Sequence, residues 1–148
     1  MKDFAISDNP RVQAQLDRLG ALSLPQGRIG LETIHALLAR LGDPQKALPP
    51  VFHVAGTNGK GSTQAMIRAG LEAGGDLVHA YTSPHLVKFH ERIRVAGELI
   101  SEADLSALLE ECEEVNAQEP ITFFEITTAA AFLAFSRTPA DYGFKQHI

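Results

Sequence analysis

Apolar positions along this chain change their period several times, and each change marks an element. After Asn9-Pro10, the residues Val12, Leu16 and Leu19 recur at helical spacing, which predicts a helix ending near Gly20. Residues 23–30 read as a loop carrying Pro25, Gly27 and Gly30. From Leu31 to Leu41 the stripe Ile34, Leu37, Leu38 and Leu41 predicts a second helix, with Gly42 as its stop and Pro44, Pro49 and Pro50 as a linker. Val51-Phe52-His53-Val54-Ala55 reads as a short buried strand. Met66, Ile67, Gly70 and Leu71 return to helical spacing, and Gly74-Gly75 closes that helix. Leu77 to Tyr81 reads as another strand, so these three segments predict a right-handed βαβ unit.

Further on, Arg92 to Val95 and Glu98 to Ile100 flank Ala96-Gly97 and predict a small hairpin. Ser101 is the expected N-cap of a helix whose buried face is Leu105, Leu108, Leu109 and Cys112. Its acids Glu110, Glu111, Glu113 and Glu114 suit a solvated surface. A final helix is expected from about Phe124 to Arg137, with Ala129, Ala130, Ala131 and Ala134 allowing close packing.

Composition narrows the class. The 148 residues suit one domain with a real core, and 45% apolar with 21% charged residues is an ordinary globular balance. A net charge of −5 argues against a broad nucleic-acid surface, so no nucleic-acid partner is expected. Basic residues gather at Lys88, Arg92 and Arg94, either as a solvated hairpin face or beside an anionic substrate. Cys112 is alone, which excludes a disulfide framework and points to a reducing compartment. No stretch has the length of a membrane span and Met1 to Phe4 have no apolar signal core, so a cytoplasmic location without a membrane partner is expected.

The candidate chemistry lies between the first strand and its helix, at Gly56-Thr57-Asn58-Gly59-Lys60-Gly61-Ser62. Glycines let successive N–H groups turn toward one anion, and the helix N-terminus adds partial positive charge. Lys60 can reach the β- and γ-phosphates of a nucleotide, while Ser62 can face a phosphate oxygen or Mg²⁺. The common P-loop expression has Gly where Val54 stands and Ser or Thr where Gly61 stands, so the match is partial. Thr82-Ser83-Pro84-His85 follows the second strand at its carboxyl end, where open α/β sheets collect ligands. Ser83 could offer its hydroxyl to Mg²⁺ or simply make a Ser-Pro turn. His53 and His79, inside apolar strands, read as satisfied core histidines. Thr122-Phe123-Phe124-Glu125 has two readings: core aromatics with an acid in a helix's first turn, or a ring stacked on a flat heterocycle with polar neighbours.

Together these segments resemble the folylpolyglutamate synthase/dihydrofolate synthase family of the Mur ligase superfamily. The loop from Gly56 to Ser62, with its inserted Gly61, looks like that family's ATP loop. Thr82 to Leu86 and Glu91-Arg92-Ile93-Arg94-Val95 look like its next segment, and Phe124-Glu125 with Thr127-Thr128 is similar to its pterin-side motif. Arg28-Ile29-Gly30-Leu31-Glu32 lies where the family has a substrate loop. The resemblance implies an α/β fold: a three-layer P-loop type domain around a mostly parallel sheet. It implies ATP and Mg²⁺, with a γ-phosphate passing to a dihydropteroate or folate carboxylate and L-glutamate attacking the acyl phosphate. Lys60 would be the catalytic charge; Gly56, Thr57, Asn58, Gly59, Lys60, Gly61 and Ser62 would hold ATP. Ser83, with Ser62 as a further hydroxyl, would meet the metal. Gly27, Arg28, Ile29 and Gly30 with Thr122, Phe123, Phe124 and Glu125 would hold the pteroate. A monomer is expected.

The last residues depart from the pattern. After Pro139-Ala140-Asp141-Tyr142 the family continues into a buried strand ending in a metal-binding Glu, whereas this chain reads Gly143-Phe144-Lys145-Gln146-His147-Ile148. The expectation is that residues 1–148 are the N-terminal part of the ATP-binding domain, truncated at its C-terminal side, without a C-terminal domain and without ligase activity alone. Two other classes remain: a different P-loop enzyme, such as a kinase or cell-wall amino-acid ligase, or a non-catalytic remnant.

Overall fold

The structure is a computed structural model that describes residues 5–22, 30–85 and 87–146. Helices α1 (Pro10–Ala21) and α2 (Glu32–Arg40) lead through a 3₁₀ turn at Pro44–Ala47 into β1 (Val51–Val54) and α3 (Lys60–Ala73). Then come β2 (Val78–Tyr81), a 3₁₀ turn at Phe89–Arg92, β3 (Ile93–Val95) and β4 (Glu98–Leu99). Helices α4 (Glu102–Asn116) and α5 (Phe123–Arg137) precede the last strand, β5 (Tyr142–Gln146).

Local chemistry sets the boundaries. The Asn9 side chain accepts from the Arg11 and Val12 N–H groups, and Pro10 follows where no N–H is needed. Ser101 Oγ accepts from the Asp104 N–H at 3.1 Å and starts α4. Thr122 and Glu125 form a reciprocal capping box at α5. Ala96 (φ 49°) and Gly97 (φ 91°) both take left-handed backbone, the turn that matches the twist of the β3–β4 hairpin.

Among the described residues the sheet has the order β1-β5-β2-β3-β4. Strands β1, β5 and β2 are parallel, and the β3–β4 hairpin continues the sheet antiparallel from β2. Register lines up Phe52, Phe144 and Ala80 on one face, where Val54 and Leu71 pack beside them and α3 lies. On the other face Tyr81 and Ile93 join the main core with α1, α2, α4 and α5. Helix, sheet and helices thus make the three layers expected of an α/β domain.

Three expectations need correction. The final residues are not a departure from a strand: Tyr142–Gln146 is β5, seated between β1 and β2, so the predicted βαβ pair is separated by it. Val51–Val54 is an edge strand and not a buried one, with Val51 47% and Phe52 40% exposed. His53 is exposed with it, whereas His79 is a satisfied core histidine. Alternating β-formers cannot distinguish an edge from a centre, because that depends on which strand pairs next.

Candidate functional site

Strand β1 delivers the chain to residues 55–59, and α3 begins at Lys60. Gly59 sits at φ 75°, a left-handed backbone that favours glycine, and forms the N-cap of α3 without any side-chain hydrogen bond. The first N–H groups of α3 therefore have no capping side chain, the condition in which a helix start attracts an anion. Lys60 Nζ donates to the Gly56 carbonyl oxygen at 2.7 Å, so the ammonium lies across the loop. Apart from half-buried Lys60, every residue from Gly56 to Ser62 is exposed.

The neighbouring strand ends close on this loop. Register pairs Val54 of β1 with Gln146 of β5, while Tyr81 of β2 pairs with Lys145 just before it. Gln146 is 5% exposed. Its Oε1 accepts from the Ser83 N–H at 3.1 Å, and a Cβ added at Gly61 would lie 3.7 Å from its Nε2. Gln146 thus ties the segment after β2 to the start of α3. Beside it, Gly61, Gln64 and Arg68 of α3 face Ala80, Thr82, Glu91 and Arg94 across a cavity of about 70 Å³. Gln64 is 2% exposed, and its Oε1 makes no hydrogen bond among the described residues.

The Ser83–His85 segment is braced from below. Arg92 is 1% exposed, donates from Nε to His85 Nδ1 at 3.0 Å, and lies 5.0 Å from the Phe89 ring. A solvated hairpin face therefore does not describe Arg92. Lys88 pairs with Asp8, whose hydrogen bond and charge hold the ammonium pKa above its ordinary value, and Arg94 Nη1 donates to Gly97 O at 3.3 Å.

Thr122 to Glu125 divide between the two readings. Glu125 Oε2 accepts from Thr122 Oγ1 at 2.7 Å and from Thr122 N–H at 3.0 Å, so its carboxylate caps its own helix. Phe123 packs edge-on against Phe89, with centroids 5.7 Å apart. Phe124 is 37% exposed and stacks 6.4 Å from Tyr81, which ends β2. One aromatic is committed to packing and the other is available near the strand end. Gly30 is exposed ahead of α2; Gly27, Arg28 and Ile29 lie outside the described residues.

No family model matches the chain. Dihydrofolate synthase/folylpolyglutamate synthase of Bacillus subtilis strain 168 is 46% identical over 114 residues, covering 72% of this chain and 26% of that protein. Its counterpart in Escherichia coli K12 is 41% identical over 113 residues, covering 76% and 26%. The crystal structure of the bifunctional folylpolyglutamate synthase/dihydrofolate synthase from Yersinia pestis CO92 superposes with a TM-score of 0.84 at 35% identity, covering 94% of this chain and 34% of that one. Over most of its length the chain is similar to a portion of the folylpolyglutamate synthase/dihydrofolate synthases. It spans about a quarter of the length of these curated relatives. Another Yersinia pestis structure of a folylpolyglutamate synthase/dihydrofolate synthase is complexed with AMPPNP and Mn ion, and superposes at the same TM-score of 0.84.

Sequence reasoning singled out the loop and Ser83 but not Gln146, which the strand register sets beside them. The signal was present: Tyr142 and Phe144 alternate with Gly143 and Lys145 at strand period, and Asp141 accepts the Leu77 N–H at 2.8 Å to align β5 with β2. The donors near Ser83 do not fit a divalent ion held by this chain. Mg²⁺ is bound through one or two carboxylates besides phosphates and waters. Here the strand-end side chain is an amide, and among the described residues no group of three or more His, Cys, Asp or Glu could hold a metal. No described helix is long and apolar enough to cross a membrane.

Proposed function

We propose that this chain is the nucleotide-binding, N-terminal part of a cytoplasmic ligase that adds L-glutamate to dihydropteroate or folate at the expense of ATP. The observation that carries the reading is the joined strand–loop–helix in which Gly59 turns left-handed and Lys60 bridges back to Gly56. A backbone already curled, with uncapped N–H groups and one ammonium across it, is preorganised for a triphosphate tail. Gly56 to Ser62 are the proposed ATP contacts, and Lys60 offsets charge on the β- and γ-phosphates.

In the proposed reaction the γ-phosphoryl group passes to a carboxylate oxygen of the pteroate or folate, leaving ADP and an acyl phosphate. The glutamate amine then attacks the acyl carbon; the C–O bond to phosphate breaks, inorganic phosphate departs, and the nitrogen loses a proton as the amide forms. The chain's task is orientation and charge neutralisation. Exposed Phe124 is the proposed stacking surface for the pterin, with Thr122, Phe123 and Glu125 shaping its support. Gly27, Arg28, Ile29 and Gly30 are the further proposed pteroate contacts. Ser83 and Ser62 are the hydroxyls proposed to approach an ion borne by the nucleotide. The parent enzyme is proposed to work as a monomer on small-molecule substrates, without nucleic acid. Residues 1–148 are its ATP-binding portion, with a C-terminal domain lying outside them.

An open loop at a sheet edge leaves an acyl phosphate exposed to water, so no ligation is expected from residues 1–148 alone. Calorimetry with Mg-ATP and with dihydropteroate, on the wild type and Lys60→Ala, tests the assignment. Binding of both ligands, with ATP alone weakened by Lys60→Ala, is the expected result. ATP binding without pteroate would favour another P-loop enzyme, and silence toward both would leave a non-catalytic remnant. Steady glutamate- and dihydropteroate-dependent turnover would refute the inactivity.

A further inference from the structure

We infer that Gln146 makes this crevice a metal-independent phosphate site, in which a neutral amide donor faces the start of α3 beside Ser83. The inference rests on the proposed nucleotide reading. The amide orientation is fixed by its partner: Ser83 offers an N–H, so the atom facing it is the oxygen, and Nε2 must be the end turned toward Gly61 and the loop. The side-chain acceptor of Gln146 therefore faces Ser83, and the atom it presents to Gly61 at the start of α3 is a donor. A donor facing the cradle attracts a phosphate oxygen and repels a cation.

The residue is held in that role. Gln146 is 5% exposed, and its strand pairs with β1 on one side and β2 on the other. The side chain stands at the meeting point of the loop, Ser83 and the first turn of α3. Ser83 and Ser62 are left as neutral hydroxyls. Glu91, on the adjoining cavity, accepts from the Val87 and Lys88 N–H groups and braces its own turn. A divalent ion at Ser83 is consequently coordinated by phosphates and water, with at most a hydroxyl from Ser83 or Ser62.

The test uses a fluorescent ATP analogue with the 148-residue chain, titrated in excess Mg²⁺ and in EDTA, for wild type and Gln146→Glu. In the wild type the affinity should change by less than about threefold between the two conditions, because Gln146 offers the crevice a donor and not a carboxylate. Gln146→Glu should weaken binding in EDTA by roughly tenfold or more, since a carboxylate then faces phosphate, and Mg²⁺ should restore it. A wild type that loses more than about tenfold in EDTA, or a Gln146→Glu variant without metal dependence, overturns the inference. A second arm needs no nucleotide: Mn²⁺ titrated into wild type and Ser83→Ala, read by electron paramagnetic resonance. Only free Mn²⁺ is expected in both; a stoichiometric bound ion in the wild type that Ser83→Ala removes also overturns it. If the analogue binds under no condition, the nucleotide reading fails, while the Mn²⁺ arm still decides whether the chain holds a metal. Circular dichroism of Gln146→Glu, with Gln146→Ala as companion, separates misfolding from changed binding.

Discussion

Lys60 Nζ and the Gly56 carbonyl oxygen lie 2.7 Å apart, so the loop's only ammonium is held across the loop by the loop's own backbone. An arriving phosphate need only exchange with one carbonyl to gain a full positive charge. A hydrogen bond to a charged group is worth ~1.5–3 kcal/mol. Lys60→Ala should therefore weaken ATP binding by roughly tenfold to a hundredfold. Stability should move by less than ~0.5 kcal/mol, because the Lys60–Gly56 bond is solvent-exposed. Calorimetry beside urea unfolding separates the two effects. Unchanged affinity would remove Lys60 from the site.

The two glycines that flank Lys60 act for different reasons. Gly59 has open space around it but φ of 75°, so a methyl group there strains the backbone without a clash. Gly61 lies inside α3, and an added Cβ would make an ordinary 3.7 Å contact with Gln146. Gly59→Ala should thus cost ~1–2 kcal/mol, the usual penalty for left-handed backbone with a side chain. Gly61→Ala should be neutral or stabilise by up to ~1 kcal/mol, through helix propensity. Urea midpoints of the pair decide it; equal costs would mean that sterics, not φ, govern the loop.

How far the sequence reached is clear from particular elements. Helices α1, α2 and α4 were legible from their apolar stripes, α1 and α4 also from their caps at Asn9 and Ser101, and α5 from its long apolar run. The glycine-rich loop stood out as a candidate because its residue types are rare in combination. What failed was non-local. Helix α3 was found, but Met66 remains 69% exposed, because the face packed on the sheet carries Gln64 and Leu71 instead. Nothing in Val51–Val54 reveals that, among the described residues, only β5 pairs with it, and Gln146 gains meaning only when register sets it beside Ser83.

That exposed edge has a measurable consequence. Phe52 stacks on Phe144 at 5.0 Å and tilts against Tyr142 at 5.6 Å, yet is 40% exposed, and Val51, Met66 and Ile67 are exposed as well. A strand edge with unpaired backbone groups and apolar side chains templates association. Phe52→Lys should cost ~1–2 kcal/mol through lost ring contacts, while reducing concentration-dependent association. Light scattering across a dilution series checks this. Association undiminished by Phe52→Lys would locate it on another surface.

His79 couples the fold to pH with a definite sign. Its Nδ1 accepts from the Ala96 N–H at 2.9 Å, so Nε2 carries the proton and donates to Thr138 O at 2.8 Å. A proton added at Nδ1 would face another N–H. Burial, the largest cause, holds the pKa below its ordinary value, against the raising effect of the backbone hydrogen bonds. The unfolded chain binds that proton below about pH 6.5 while the folded chain resists it. The stabilisation is therefore complete above the unfolded pKa and is lost as pH falls toward the depressed folded value. Urea unfolding at neutral pH and about one unit below pH 6.5 should show wild-type stability falling more than that of His79→Gln, which keeps a donor and an acceptor without titrating. Other groups titrate equally in both proteins, so the difference belongs to His79. Parallel pH slopes would mean that the folded protein accommodates the imidazolium.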